Sequence, residues 1–483
     1  MFLNALKEET NFTLTTNGAV AHKSTLNKLM DLFAMGAAYR WRDDSDCILL
    51  FKEAYEENPE YALKCLFYIR DILDGAGERK FFRVCFKWLA QNYPEVARRN
   101  MRFVPMLGRW DDLYCLVDTP IQKDMFKFME DQFKLDLISK TPSLLAKWLK
   151  SPNTSSKESV ALARLTYAAF GMSERHYRRA LSYLRKKINV LERLMSTNQW
   201  DKIEFDKIPS AAGLKYRNAF AEHEVTRAKY EAFAKDKKTK VNAKALFPYQ
   251  VVKKAFELSN YYNLEDTERL MINKYWDNLT DYFNSATLNA LCMVDTSGSM
   301  FGDPINIAIS LGLYCAERAK GPFANHYISF SSRPQLIECR GVDFCDKVYR
   351  IYHTNLCQNT NIKACFDLLL NTALNYHMKQ EDLPQNIIIV SDMQVDCADE
   401  QFVFHKTTLM EGIRRKWALA GYKMPHLIYW NVNAIENTIL DSDPDVSYVS
   451  GASPSIFESI LTGKTGYELM MNALNKDKYK EIK

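Results

Sequence analysis

The stretch that most constrains this chain is residues 288–300. An apolar run, 288–294, leads straight into Asp295-Thr296-Ser297-Gly298-Ser299. Such a run is too short for a helix and reads as a strand buried on both faces. A helix-like pattern follows over 305–319. Strand, oxygen-rich loop and helix in that order open a doubly wound sheet, whose ligand site lies at the carboxyl end of the strand.

Asp295, Ser297 and Ser299 stand at alternate positions, so one carboxylate and two hydroxyls can meet a single ion from one loop. Hard divalent cations take oxygen ligands, and Mg²⁺ keeps few protein ligands and several waters. The expected cofactor is therefore Mg²⁺ or Mn²⁺. A helix cap at Ser299 is the competing reading of the same loop. Asp-x-Ser-x-Ser resembles the first loop of the metal-ion-dependent adhesion site of von Willebrand factor A domains. The resemblance implies a Thr from a second loop and an Asp from a third. Thr360, just before the helical stretch 362–374, and Asp392, after the strand 386–390, match those roles. Thr354 is an alternative for the Thr.

The 483 residues suffice for two or more domains, and 47% hydrophobic content can fill large cores. No apolar run approaches the length of a membrane-spanning helix. Residues 1–16 are polar and lack a signal peptide's apolar core. The 11 cysteines contain no Cys-x-x-Cys pair, which argues for free thiols in a reducing, cytoplasmic setting rather than zinc or disulfides. The net charge of +5 hides an asymmetry: residues 141–260 hold 24 Lys and Arg against 11 Asp and Glu, a net of +13. That excess suggests an anionic partner, with a solvated helical surface as the alternative.

Residues 1–20 carry little pattern and read as a tail. Residues 21–285 read as helices, opened by a cap at Ser24, with apolar residues recurring at three and four and short Gly/Pro turns between them. Antiparallel helix pairs of this kind suggest a HEAT-like helical-repeat solenoid. Within it, 171–194 form a cationic helix carrying Arg175, Arg178, Arg179, Arg185, Lys186 and Lys187, with Tyr177, Leu181, Leu184 and Ile188 as its apolar stripe. These six cations are the candidate RNA-phosphate contacts. Residues 286–465 alternate strands (288–294, 325–330, 335–339, 386–391, 426–432, 446–450) with helices (305–319, 362–376, 402–420, 455–462), which argues for a parallel α/β domain. Residues 466–483 read as a C-terminal helix with a charged end.

A helical-repeat half fused to a C-terminal A domain resembles the TROVE family, the Ro ribonucleoproteins. More closely, the chain resembles an uncharacterised family of that layout found in phages, plants and fungi. The matching stretches are 67–80 with Gly75-Ala76-Gly77-Glu78-Arg79-Lys80, 105–113 with Gly108-Arg109-Trp110-Asp111-Asp112-Leu113, 200–210 with Ile208-Pro209-Ser210, and 288–300. The resemblance implies a ring: the repeats curve until the A domain closes the circle, and the opening takes single-stranded or misfolded, non-coding RNA. It also implies a metal site that binds rather than catalyses, in a monomer that is not an enzyme. The competing function is a metal-dependent protein-interaction module, in which a partner's carboxylate completes the ion's coordination. Gly75-Ala76-Gly77 lacks the Gly-Lys-Ser/Thr ending of a phosphate loop and reads as a helix terminus. Trp110 is expected to be buried between helices.

Overall fold

A computed structural model describes residues 2–258, 262–283, 289–330, 333–354, 360–396, 408–434, 446–460 and 465–483. The expected boundary at 285/286, Leu288, and part of the expected helix 402–420 lie outside them.

The N-terminal stretch read as a tail is ordered into a helix, Phe2–Glu9, and a hairpin of β1 (Phe12–Leu14) and β2 (Val20–His22). Three-residue strands are too short to show a period in sequence, and β2 is wholly buried. The first long apolar helix, Lys28–Met35, is capped by Asn27, whose side chain accepts from the Met30 N–H. Ser24, expected as the cap, instead donates to Asp31 at 2.5 Å. Helices then follow one another to Thr267–Asp277, joined by the Pro- and Gly-bearing turns that the sequence marks. Pro59 and Pro94 each occupy the first turn of a helix, where a missing N–H costs nothing.

The C-terminal half is a six-stranded mixed sheet flanked by helices. Its strands are β3 (Ala290–Val294), β4 (His326–Ser329), β5 (Gln335–Glu338), β6 (Asn386–Ser391), β7 (His426–Asn431) and β8 (Ser447–Ser450). The spatial order is β5-β4-β3-β6-β7-β8. All six lie where the sequence placed strands. Central β3 is buried at every position, with Met293 paired to Ile328 on one side and Ile389 on the other. Every pairing is parallel except β4 with β5, which is antiparallel. That departs from the all-parallel expectation for a physical reason: residues 330–334 are too few for a crossover, so β5 can only return as a hairpin. The helix Asp303–Arg318 packs on β3 at Gly312, where a Cβ would meet a Val294 methyl at 2.4 Å.

The helical half leaves the sheet domain and comes back to it. At its start, Ala37 N–H reaches Ser450 Oγ, Ala434 N–H reaches Ala38 O, and Arg42 Nε reaches Ala434 O at 2.8 Å. Gly451, at φ 103°, lets the loop after β8 lie against Ala37 and Ala76. At its end, the helix Pro248–Phe256 packs on Asp303–Arg318, and Phe256 stacks on Tyr352. The chain's last residues return as well. Tyr479 donates to Asp71 at 2.7 Å, and Lys483 and Asn100 exchange two hydrogen bonds.

The tightest electrostatic contact across the returning end is a two-pronged pair. Arg269, fully buried, donates Nε and Nη2 to Asp343 at 2.7 Å each, and Asn273 adds a third donor to the same carboxylate. Arg269→Ala removes both prongs and is expected to cost about 3 kcal/mol. Calorimetry should show an earlier unfolding transition, with circular dichroism at room temperature unchanged.

Candidate metal centre and basic groove

β3 ends at Val294, and the Asp295 N–H still pairs with Val390 O at 3.0 Å, so Asp295 is held against the end of β6. Its Oδ1 accepts from the Ser297 N–H at 2.9 Å, which turns the loop into the short 3₁₀ segment Gly298–Met300. Its Oδ2 accepts from Ser391 Oγ at 2.5 Å. Ser297 Oγ and Ser299 Oγ are 3.2 Å apart. Adjacent ligands of an octahedral Mg²⁺ with ~2.1 Å bonds lie ~3 Å apart, so this spacing suits one ion.

Asp392, immediately after β6, accepts from the Gln394 N–H at 3.1 Å through Oδ1. Its Oδ2 is buried and has no hydrogen-bond partner. Asp295 and Asp392 are both fully buried. Burial pushes the Asp295 carboxyl up to about 7, helped by the neighbouring Asp392 charge and opposed by Ser297 and Ser391. Burial likewise raises Asp392, against the pull of the Ser299 hydroxyl. Two buried carboxylates that raise each other's cost of ionisation, one with an orphaned oxygen, form a site that a divalent cation relieves. The donor set fits Mg²⁺ or Mn²⁺: hard oxygens and an exposed Ser299 side that leaves room for water. Among the described residues, no group of three or more His, Cys, Asp or Glu side chains is placed to hold a metal. This site is of another kind, two carboxylates plus hydroxyls.

Thr360 is buried and tied to the third loop rather than the first. Its N–H donates to Asp396 at 2.9 Å, and Asp396 N–H returns to Thr360 O at 3.2 Å. Thr354 is the last residue of the helix Phe344–Thr354. The third loop is also gripped by the N-terminal hairpin: Thr15 Oγ1 donates to Val395 O at 2.8 Å and Asn17 Nδ2 to Gln394 O at 2.6 Å. Beyond the first loop, Lys253 of the helical half pairs with Asp303 at 2.8 Å. The carboxyl edge of the sheet thus faces the helical half.

A groove of about 1630 Å³ lies among the helices of the basic middle segment. Eight Lys and Arg side chains line it, against two carboxylates, Glu174 and Glu192. Of the six cations expected from the sequence, Arg175, Arg178 and Arg179 are exposed along it on the helix Glu174–Lys187. Arg178 has a distant partner in Glu174, at 3.9 Å one turn away. Arg185 also lines the groove, but its donors go to Ala146 O, Ser151 Oγ and Leu149 O, each at 2.9 Å. Lys187 caps the helix Gln122–Ile138 through Leu137 O and Ser139 O, and exposed Lys186 does not reach the groove. Sequence reasoning missed Arg109, Lys147 and Arg193, which with Lys215 of the basic stretch 207–222 complete the cationic lining from other elements. Trp110 is stacked on Phe128 at 5.4 Å and packs against the core, as expected.

The architecture defines a protein with a long helical half that begins and ends on a mixed α/β domain, with an oxygen-rich loop cluster at that domain's edge. Residues 15–164 and 136–287 match the model of a domain of unknown function, DUF2828, and the chain belongs to that family. Residues 289–482 match a second such domain, DUF7788. The chain is 29% identical to Uncharacterized protein L728 of Acanthamoeba polyphaga mimivirus, over 94% of this chain and 85% of that protein.

Asp295→Ala or Asp392→Ala should abolish Mg²⁺ or Mn²⁺ binding in titration calorimetry and leave the helical signal in circular dichroism intact. The pH dependence follows from the raised Asp295 value. Without metal, the stability contributed by protonated Asp295 is complete below its ordinary value of 3.8 and is lost as pH rises through about 7. Metal needs the ionised form, so Mg²⁺ affinity should fall as pH drops below about 7. The gain in melting temperature from millimolar Mg²⁺ should be larger at pH 8 than at pH 6.

Proposed function

We propose that this chain is an RNA-binding scaffold of the Ro-like layout. In this reading its HEAT-like helical repeats and a von Willebrand A-like domain close into a ring. The groove takes single-stranded or misfolded RNA, and the A-like domain carries a divalent-metal adhesion site. The observation that carries it is the composition of the groove, eight cations against two carboxylates, with Arg175 and Arg179 forming no ion pair among the described residues. A solvated surface would not concentrate such charge in a concavity, whereas phosphate binding requires it. The return of the helical half to the sheet edge supports a closed path. The ion, set among two carboxylates and hydroxyls, is a binding centre; phosphoryl transfer by paired metals needs a second ion site. We place the protein in the cytoplasm, in keeping with the nine described cysteines, which are all free, and read it as a monomer. No helix of the described residues is long and apolar enough to cross a membrane.

A specific observation favours the second reading, a metal-dependent protein-interaction module. Ser299 is exposed beside the ion site, and Phe301, two residues on, is 90% exposed, an apolar contact ready for a partner that also offers a carboxylate.

Filter binding with a single-stranded RNA separates the two. If phosphates hold the RNA, log affinity falls with log salt by about 0.7 per contact. Arg178→Glu with Arg179→Glu should abolish binding of every sequence alike, while Lys186→Glu changes it little. Absence of binding at low salt, or binding indifferent to salt, would remove the RNA reading and leave the protein-interaction module.

A further inference from the structure

We infer that Trp148 is a base-stacking platform for single-stranded RNA, with the Arg109 guanidinium as the phosphate partner beside it. The inference rests on the groove reading and specifies what the groove takes: strands with unpaired bases.

Arg109 stands in the segment Gly108-Arg109-Trp110-Asp111-Asp112, yet neither neighbouring carboxylate neutralises it. Asp112 is fully buried and accepts from Arg70 Nε at 2.8 Å, from Arg83 Nε at 2.7 Å and from Arg109's own N–H at 2.9 Å. Asp111 accepts from Arg83 Nη2 at 3.0 Å. The Arg109 guanidinium is left half-buried, lining the groove, with no ion pair among the described residues. Burial and the nearby Arg79 and Arg70 charges depress its pKa, against the weaker pull of Asp111 and Asp112.

That guanidinium lies over the Trp148 ring, 4.7 Å from its centroid, and Lys147 Nζ lies 5.4 Å from the same centroid. The indole itself lines the groove. Two cations beside one aromatic ring suit a ligand that is planar at one point and anionic at the next, which is a nucleotide. The platform is also rigid. Arg185 holds the carbonyls of Ala146 and Leu149, and Tyr177 donates to Lys150 O at 2.9 Å. Both come from the helix that presents Arg175, Arg178 and Arg179, so the phosphate-binding cations and the indole are fixed relative to one another. Ordering a side chain on binding has an entropic cost, and here folding has already met it. Bases inside a duplex cannot reach the indole, so the platform selects single strands.

The test compares a short oligouridylate, an abasic oligomer of equal length, and an RNA duplex, by fluorescence anisotropy against the full-length protein. The wild type should bind the oligouridylate roughly tenfold more tightly than the abasic strand, the range of one stacked base. Trp148→Leu should erase that difference and leave abasic binding and the salt slope unchanged. Arg109→Ala should reduce the salt slope by about 0.7. Equal wild-type affinity for base-bearing and abasic strands overturns the platform, as does Trp148→Leu binding like wild type. In either case the groove reading stands if Arg178→Glu with Arg179→Glu still abolishes binding. Failure of the wild type to bind any of the three overturns both. If Trp148→Leu does not fold, as judged by circular dichroism, the wild-type comparison of the two strands decides alone.

Discussion

Two carboxylates buried side by side, Asp295 and Asp392, are the constraint on which the sheet edge is built. Such a pair opposes its own ionisation, and the fold tolerates it only with specific support. Ser297 and Ser391 supply donors to Asp295, and Gln394 supplies one to Asp392. The loops that carry the pair are then secured from outside the α/β domain, by Thr15 and Asn17 on one and by Lys253 next to the other. One Asp392 oxygen is still left without a donor. An unmet acceptor inside an otherwise satisfied network is one that a cation would satisfy.

The helical half solves the opposite electrostatic problem. It holds many cations, and several of its acids are engaged away from the groove lining. Asp112 and Asp111 are consumed by Arg70 and Arg83. Asp136 accepts from Ser143 and Gln132. What faces the groove is eight cations against Glu174 and Glu192. The same carboxylates that stabilise the fold leave Arg109 unneutralised, so structural pairing and the groove's potential come from one arrangement. Single surface ion pairs contribute little to stability, so this sorting of charge matters more for partner choice than for folding.

The strands of the α/β domain were legible because buried strands concentrate apolar residues, and 387–390 and 427–430 do so without interruption. That Asp295 and Asp392 stand at the carboxyl ends of neighbouring strands was legible for a related reason, since each closely follows an apolar run. Direction was not legible for β5, since the hydrophobic pattern of four residues carries no polarity; the short connection decides it. The helix Phe344–Thr354 was passed over although it is amphipathic, because Tyr349 and His353 extend aromatic character beyond the buried stripe of Phe344, Cys345, Val348, Ile351 and Tyr352. Among the cations, sequence showed which face of the helix was polar but not where each side chain ends. Arg185 and Lys187 reach carbonyls 36 to 50 residues away. Arg109 joins the groove only because tertiary packing brings Trp148 to it.

The two centres are connected by the way the chain closes. The third metal loop is clasped by the hairpin at the beginning of the helical half, and Asp303, just past the first loop, is paired to its end. Any rearrangement of those loops must either carry the helical ends along or break these contacts. Loop residues fastened in this way would have less freedom to lose if an ion arrived, so ordering would add little to the cost of binding it. By the same contacts, an ion that fixes Asp295 and Asp392 also fixes the anchorage of the helices that surround the groove. Coupling of this kind needs no long-range pathway, because the metal loops and the ends of the helical half are in direct contact.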